Sequence, residues 1–442
     1  LGNLSLGDWK LQILNSQDAC FKDSLEKLIN KSRIQNENVS GTVTDILKQV
    51  MKEGNSALIN FTEQFDKISL KSESIMLSKK EIALACKQVS DQQKEALDLA
   101  ASRIRDFHKR QLPRDEYWID DSLVEMGWKW QPIERIGIYV PGGTAAYPSS
   151  VLMNAIPATI AGAKELVMVS PTPRKQLNPL VIYAAEICGV KEVYRIGGAQ
   201  AVAALTYGTE TIRPVDKIVG PGNVFVAEAK RQVFGMVGID MIAGPSEVVI
   251  IADEDNNPNW VSADLLSQAE HDTHAQSILI TSSEIFAKQV VKCLDADIKG
   301  LIRKKIASES LKNNGAIILV ENFEVATTIS NRLAPEHLQL CVKDPKTLLS
   351  EIKNAGSIFL GSHTPEALGD YIVGTNHVLP TGKSARFASG LSVLDFMKRS
   401  FISGVVPEAA SDLFESTSVL ADAEGLGAHK LSADLRKNNL QN

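Results

Sequence analysis

Two different periodicities of hydrophobic residues divide the chain near residue 135. Before that point apolar residues recur at helical spacing, and residues 41–66 predict helix with a break at Gly54. The run from Ser78 to about residue 111 opens with a capping box, Ser78 with Glu81 three residues on, and predicts one long amphipathic helix. Residues 117–132 predict a short β excursion. The first third is therefore expected to be mainly helical.

After residue 135 short Val- and Ile-rich runs alternate with helical segments, and the last fifty residues return to helix and polar loop. The strand-like runs form two series, at 135–140, 165–170, 192–197 and 216–220, and then at 247–252, 277–282, 316–320, 337–342 and 357–361. Strands separated by crossover helices are typical of doubly wound parallel sheets. The expected fold class is α/β, with two incomplete Rossmann-like units and small helical segments at both ends.

Composition narrows the class of protein. The chain has 442 residues, 44% hydrophobic and 23% charged, which is enough apolar material for several packed domains. Lys plus Arg number 47 and Asp plus Glu 53, so the formal charge is −6, which argues against a nucleic-acid or anionic-membrane partner. Five scattered cysteines without a CxxC pair favour a reducing cytoplasm over a disulfide framework. Whether a transit peptide has been removed stays an open question.

Glycine-rich turns follow three strands of the first series, at 141–144 (PGGT), 196–201 (IGGAQA) and 220–223 (GPGN). The carboxyl ends of parallel strands and the helix N-termini beside them are where phosphates bind in open α/β folds. None of the turns is a GxGxxG fingerprint, and a P-loop is absent from the sequence. The turns therefore either cradle a nucleotide or only join strand to helix tightly.

Histidines stand beside carboxylates or amides at several predicted element ends. Neutral imidazole with carboxylate suits a divalent metal site, and it equally suits acid–base chemistry near pH 7. Spacing alone does not say which of these residues meet in space. The candidates are Gln268 and His271 on one helix face, Glu336 with His337, Asp370 with His377, and Glu424 with His429.

Longer strings resemble the histidinol dehydrogenase family. They occur in order over about residues 80–430, and Asn256 and Thr273-His274 are the departures from the family pattern. The strings are RIGIYVPGG (135–143), IGGAQA (196–201), VDKIVGPGN (215–223), EAKRQV (228–233), DMIAGPSEVVIIAD (240–253), DLLSQAEH (264–271), APEHLQL (334–340), GSIFLG (356–361), GDYIVGTNHVLPT (369–381) and GAHK (427–430).

The resemblance implies an activity. Members of the family oxidise L-histidinol through L-histidinal to L-histidine in two NAD-dependent hydride transfers, the last step of histidine biosynthesis. It further implies one zinc ion per subunit and a homodimer whose sites are shared between subunits. His337 is then the expected general base, and Glu336 the carboxylate that activates water. The expected zinc ligands are Gln268, His271, Asp370 and His429, the last from the partner subunit.

The same resemblance implies the binding residues and the domains. NAD is expected to contact Tyr139, Gln200 and Asn223, which lie in or beside the glycine turns. Substrate contacts are expected from Ser246, Tyr371, His377 and Glu424, together with Gln268, His271, His337, Asp370 and His429. The expected units are a dimerisation segment (1–30), a metal and catalytic Rossmann-like domain (31–134 with 246–385), an NAD domain (135–245) and a small C-terminal helical domain (386–442).

Other functions stay open at this point. A related zinc and NAD dehydrogenase acting on another amino alcohol would carry much the same motifs, and Glu424 and His429 would distinguish it. A metal-assisted hydrolase fits the ligand types beside Glu336 and the missing GxGxxG. A non-catalytic imidazole- or amine-binding protein would need a damaged catalytic pair, whereas Glu336 and His337 are both present.

Overall fold

The N-terminal part is helical as expected, with one strand that belongs elsewhere in the fold. The computed structural model describes residues 5–6, 9–31, 39–142, 147–173, 176–242, 244–406 and 410–439, so Gly143 and Thr144 of the first glycine turn lie outside it. The elements of this part are β1 (Ser5–Leu6), β2 (Trp9–Lys10), β3 (Gln12–Asn15), α1 (Phe21–Lys31), α2 (Ser40–Glu53), α3 (Asn55–Asp66), α4 (Lys79–Cys86), α5 (Asp91–Lys109), β4 (Glu116–Ile119) and β5 (Val124–Pro132).

The prediction of one long helix after Ser78 was wrong. The capping box of Ser78 and Glu81 does begin α4. A second capping box, Ser90 with Gln93, then starts α5, and its Ser90 side chain accepts a hydrogen bond from the Gln93 amide. Because an N-cap residue has extended backbone, the helix cannot run through it.

The first parallel sheet has the strand order β10-β9-β6-β7-β8. Successive positions along each strand face opposite sides of the sheet, so Met168 packs with Ile136 in one hydrophobic cluster and its neighbour Val167 packs in another. The elements are β6 (Arg135–Tyr139), α6 (Pro148–Ala161), β7 (Glu165–Val169), α7 (Pro179–Ile187), β8 (Glu192–Tyr194), α8 (Gly198–Tyr207), β9 (Lys217–Val219), α9 (Val224–Val233) and β10 (Gly238–Ile239).

The N-terminal helices pack against the helices that cover this first sheet, α2 against α8 and α9 and α5 against α6, whereas we expected residues 31–134 to fold with residues 246–385. The buried stripe of α2, which includes Val43 and Val50, packs in the cluster of Val167 and Val169. Helix α5 places Ile104 in the cluster on the opposite face of the sheet. An amphipathic helix buries its apolar stripe against a nearby apolar surface, and here the helices of the next unit in the sequence supply that surface.

The second parallel sheet has the order β15-β14-β11-β12-β13-β3. Its central strand β11 is buried along its whole length, as the run EVVIIA predicts for a strand covered on both faces. The elements are β11 (Glu247–Ala252), α10 (Pro258–Ala269), β12 (Gln276–Thr281), α11 (Glu284–Asp297), α12 (Lys304–Asn314), β13 (Ala316–Leu319), α13 (Phe323–Leu333), β14 (His337–Cys341), α14 (Pro345–Leu349), β15 (Ser357–Leu360) and α15 (Glu366–Tyr371).

Strand β3 completes this second sheet from the other end of the chain, pairing in parallel with β13. Helix α1 follows it and buries Leu25 and Leu28 beside Val249. Residues 12–31 are therefore part of the second sheet and its cover. A role of residues 1–30 in dimerisation stays a prediction.

The C-terminal part begins with a strand, although we expected helix and loop. Strand β16 (Met397–Val405) pairs antiparallel with β5, and β5 pairs antiparallel with β4. The segment that precedes the first sheet and the segment that follows the second sheet therefore form one three-stranded antiparallel sheet. Two helices follow and pack against each other, α16 (Ala410–Ala423) and α17 (Gly427–Asn439). Across the described residues, no helix is both long and apolar enough to cross a lipid bilayer. The α/β class with two parallel sheets is confirmed.

Candidate active site

A cavity of about 570 Å³ lies where the two sheets meet. The first sheet contributes residues just after its strands, such as Gly220 after β9 and Asp240 after β10. The second sheet contributes residues just before or at the start of its strands, such as Ser246 before β11 and His337 at the start of β14. The site thus joins the carboxyl edge of one sheet to the amino edge of the other.

The GPGN turn forms the wall on the side of the first sheet. Gly220 has φ +112, and a Cβ atom there would lie 2.1 Å from the Tyr139 carbonyl oxygen, so only glycine fits this approach. Asn223 caps α9 by accepting hydrogen bonds from the Phe225 and Val226 amides. The turn therefore presents a helix N-terminus to the cavity.

A buried ion pair braces this turn from behind. Lys230 and Asp240 form a salt bridge with both side chains at most 3% exposed. Lys230 also donates to the Gly220 carbonyl oxygen at 3.0 Å, and Asp240 accepts from the Gly220 amide at 2.7 Å. Because a buried pair keeps its geometry when its remaining donors and acceptors are satisfied, the turn is held rigidly.

Glu336 and His337 lie side by side on the wall that the second sheet supplies, and both are buried. Burial raises the pKa of the Glu336 carboxyl well above its usual value, although the Glu247 amide donates to its Oε2 at 3.0 Å. Burial also lowers the pKa of His337 to about 4. At neutral pH the imidazole is therefore neutral and able to accept a proton.

Asp370 stands between two histidines in the same cavity. Its Oδ1 lies 3.8 Å from His337 Nε2 and 4.0 Å from His377 Nδ1. The His377 Nδ1–H donates to the backbone carbonyl of Asp370 at 3.0 Å, and burial lowers the pKa of His377. Two neutral imidazoles and one carboxylate thus converge.

The polar groups on this wall suit a divalent metal. His271, Glu366 and Asp370 place one possible ligand atom each within 4.8 Å of one another. Gln268 is fully buried, and neither its Oε1 nor its Nε2 has a hydrogen-bond partner among the described residues. Since buried amides are almost always hydrogen-bonded, these atoms indicate that something else binds there. Oxygen and imidazole donors are ligands that zinc accepts.

Most of the residues singled out from the sequence line this one cavity. They come from different elements, and no spacing rule could have grouped them. Those that line it are Asn223, Ser246, Gln268, His271, Glu336, His337, Asp370, Tyr371 and His377.

Four of the residues singled out from the sequence do not line this cavity. Tyr139 and Gln200 are buried at the carboxyl edge of the first sheet, where the Tyr139 hydroxyl accepts from the Gly198 amide at 3.0 Å. Glu424, in the turn between α16 and α17, and His429, on α17, are exposed and do not line the cavity. A single chain therefore does not bring them to the site.

Glu366 is the residue that sequence reasoning missed. It is 2% exposed, its Oε1 lies 3.7 Å from His337 Nδ1, and burial raises the pKa of its carboxyl well above the usual value. A signal existed, because Glu366 precedes Asp370 by four residues and so shares its face of α15. Its burial could not be seen, because Pro365-Glu366 has the composition of an exposed helix start.

The fold and the cavity define an α/β enzyme with a histidine and carboxylate site between two parallel sheets. The sequence matches the family model for histidinol dehydrogenase over residues 29–437. It is 52% identical over 429 residues to the histidinol dehydrogenase of Ruegeria pomeroyi, and the aligned region covers 97% of this chain and 99% of that protein. Histidinol dehydrogenase 1 of a Nostoc species is also 52% identical over 429 residues, with the same coverage.

A solved structure matches equally well over its length. The crystal structure of histidinol dehydrogenase from Elizabethkingia anophelis superposes with a TM-score of 0.93 at 38% identity, covering 98% of this chain and 99% of that one. The chain belongs to the histidinol dehydrogenase family, and it is an oxidoreductase.

Proposed function

We propose that this protein catalyses the NAD- and zinc-dependent oxidation of L-histidinol, through L-histidinal, to L-histidine, the last step of histidine biosynthesis. The overall reaction consumes L-histidinol, two NAD⁺ and one water, and it yields L-histidine, two NADH and three protons. The observation that carries the proposal is the neutral His337 beside Asp370, in a cavity that the Asn223 turn also lines.

Zinc fits the unpartnered donors on the wall of the cavity. Gln268, His271 and Asp370 would hold one ion per subunit, together with the partner subunit's His429. Bound zinc would anchor the imidazole and amine of the substrate without accepting the hydride. The orphaned amide of Gln268 is the support for its place in this set. Glu366 lies beside the same donors as a further carboxylate.

His337 is the proposed general base. Its Nε2 has no hydrogen-bond partner among the described residues and faces Asp370, so it is available to take the proton of the alcohol. Its low pKa keeps it neutral before each oxidation. Asp370 then stabilises the imidazolium that forms, since an opposite charge nearby favours the protonated state.

Glu336 is proposed to activate the water that hydrates the aldehyde between the two oxidations. A carboxylate with an ordinary pKa is a weak base, and burial raises the pKa of Glu336, which makes its carboxylate a stronger base. The Ser246 hydroxyl and the Glu247 amide both hydrogen-bond to its carboxylate, so its direction is set. The aldehyde then gains the oxygen that the final carboxylate carries.

NAD is proposed to bind along the carboxyl edge of the first sheet and to accept the hydride in each oxidation. Asn223 and the Gly220 turn lie in the wall of the catalytic cavity, so the nicotinamide end belongs there. Tyr139 and Gln200 line the continuation of the edge toward α8. Gln200 is 1% exposed and its Oε1 has no hydrogen-bond partner among the described residues, which fits a ligand contact.

A second copy of the chain is proposed to complete the site. Glu424 and His429 do not line the cavity of their own chain, and the two C-terminal helices beside them expose many apolar side chains. Large exposed apolar patches indicate association. Among these side chains are Val419 at 65%, Leu420 at 65%, Leu431 at 57% and Leu435 at 56% exposure. The proposed substrate contacts are Ser246, Tyr371, His377 and the partner subunit's Glu424.

The proposal is tested with purified, zinc-replete protein. L-Histidinol and NAD should give two NADH for each L-histidine formed, and removal of zinc by chelation should abolish both. Other amino alcohols and a panel of hydrolysable amides serve as competing substrates. Absence of NADH from histidinol in a zinc-replete dimer, or faster turnover of another substrate, would overturn the assignment.

A further inference from the structure

The first sheet lacks the acidic residue with which dinucleotide-binding folds hold a ribose. In those folds a carboxylate at the end of the second strand accepts hydrogen bonds from the ribose hydroxyls. The corresponding strand here is β7, and Ser170, Pro171 and Thr172 follow it. A site that binds NAD at this edge would need its carboxylate from another element.

Asp66 lies at this edge of the first sheet, although it belongs to a helix outside the sheet. It is the last residue of α3, and α3 packs against α8. Leu58 of α3, Tyr139 of β6 and Ala199 of α8 all belong to one hydrophobic cluster. Helix α3 is thereby anchored beside β6 and α8, and the Asp66 charge acts on the Tyr139 hydroxyl, which places the C-terminal end of α3 near the end of β6.

The Asp66 side chain has one carboxylate oxygen that is not used in hydrogen bonds within the part of the chain that the structure describes. Its Oδ2 is buried and has no hydrogen-bond partner among the described residues. Burial raises the pKa of its carboxyl, and its charge in turn contributes to raising the pKa of the Tyr139 hydroxyl, whose largest cause is burial. A buried acceptor without a hydrogen bond lowers the stability of the fold, so its presence indicates that a ligand donates to it.

A second unpartnered acceptor lies in the same place. Gln200, in the first turn of α8, is almost fully buried and its Oε1 is likewise without a hydrogen-bond partner among the described residues. The glycine at 198 leaves room for it, because a Cβ there would lie 2.5 Å from that oxygen. Two buried oxygens near the Tyr139 hydroxyl, Asp66 Oδ2 and Gln200 Oε1, are therefore available to accept hydrogen bonds from a ligand.

The order of the strands tells which end of the dinucleotide lies here. Strand β6 is central, with β9 on one side and β7 and β8 on the other. The turn after β9 lines the cavity that holds His337, so the nicotinamide lies on that side. The adenosine half then falls on the side of β7 and β8, where α8 begins.

We propose that the Asp66 carboxylate accepts hydrogen bonds from the 2′- and 3′-hydroxyls of the adenosine ribose of NAD and thereby selects against NADP. This inference rests on the proposed NAD dependence. The 2′-phosphate of NADP would place two negative charges against the carboxylate and remove one donor. Asp66 is thus a specificity-determining residue of the cofactor site.

The test measures ADP-ribose and 2′-phospho-ADP-ribose binding by calorimetry, together with NADH formation from histidinol. In the Asp66→Asn variant the Kd of ADP-ribose and the KM of NAD should rise roughly tenfold or more, because a hydrogen bond to a charged group is lost. The preference over the 2′-phosphorylated ligand should fall. The matched control is Glu63→Gln, which removes an exposed carboxylate from the same helix and should change neither.

A structural role would change other quantities as well. In Asp66→Asn the KM of histidinol should therefore stay at the value of the unaltered protein, and the thermal midpoint should not fall. An unchanged Kd of ADP-ribose in this variant, or an equal rise in both KM values, would overturn the inference. Failure of the unaltered protein to reduce NAD would instead overturn the proposed function.

Discussion

The Nδ1 atom of His337 lies 3.2 Å from the backbone carbonyl oxygen of Glu247. A carbonyl oxygen only accepts hydrogen bonds, so Nδ1 carries the proton and Nε2 is the basic nitrogen. The Nε2 atom is the one that faces Asp370. Strand β11 thereby sets the tautomer of a histidine on the neighbouring strand β14.

Replacing this histidine should remove the base and leave the metal. His337→Asn should lower kcat for histidinol oxidation by roughly 10²–10⁴-fold, the usual contribution of a positioned base. Zinc content, measured by atomic emission on the dialysed protein, should stay at one ion per subunit. Loss of zinc in this variant would mean that His337 is a ligand instead.

The acid limb of the pH profile should lie below the ordinary range for histidine. Burial lowers the pKa of His337 to about 4, and the base is active when neutral, so it stays competent as the pH falls below 6.5. In kcat at saturating histidinol, which leaves out the titration of the free substrate's imidazole, activity should fall only as the pH approaches that lower value. A limb centred near 6.5 would contradict the burial effect. Buffers of constant ionic strength serve as the control.

Glu336→Gln should separate the two oxidations. The amide keeps the size of the side chain but cannot take a proton from water, so hydration of the aldehyde should slow by roughly 10²-fold or more. Oxidation of supplied histidinal should therefore suffer more than the first hydride transfer, followed in single-turnover NADH bursts. Equal loss in both half-reactions would argue that Glu336 acts earlier.

His271→Ala should weaken zinc binding by roughly a hundredfold or more, since one ligand is lost. Competition with a chromophoric chelator measures the affinity without any need for turnover. The control is His363→Ala, which removes an exposed histidine that packs against Trp260 and does not line the cavity. An unchanged zinc affinity in His271→Ala would refute its place as a ligand.

Mixed dimers test whether the sites are shared between subunits. His337→Asn and His429→Ala homodimers should each be inactive. If His429 acts across the interface, a random mixture of the two subunits restores about a quarter of full activity, because half of the dimers carry one intact site. A mixture that stays inactive, although refolding produces mixed dimers, would place His429 in its own subunit's site.

Much of the architecture was readable from local patterns. Buried strands such as EVVIIA are apolar throughout because helices cover both faces, and the predicted run at 247–252 matches β11 in full. Capping boxes likewise predict helix starts. The capping box at Ser90 begins α5, and the prediction of a single helix did not take it into account. Strand β3 was missed because QILN is too short to stand out from its surroundings.

The candidate site shows the boundary between the two kinds of information. The sequence by itself determined the residue types, the pairs adjacent in the chain such as Glu336 and His337, and the family they resemble. Only the tertiary structure decided that Asn223 of one sheet faces His337 of another, that Glu366 is buried beside it, and that Glu424 and His429 stay outside. The reason is physical: periodicity reports which face of an element is buried, whereas meetings between elements depend on how two separately formed sheets pack edge to edge.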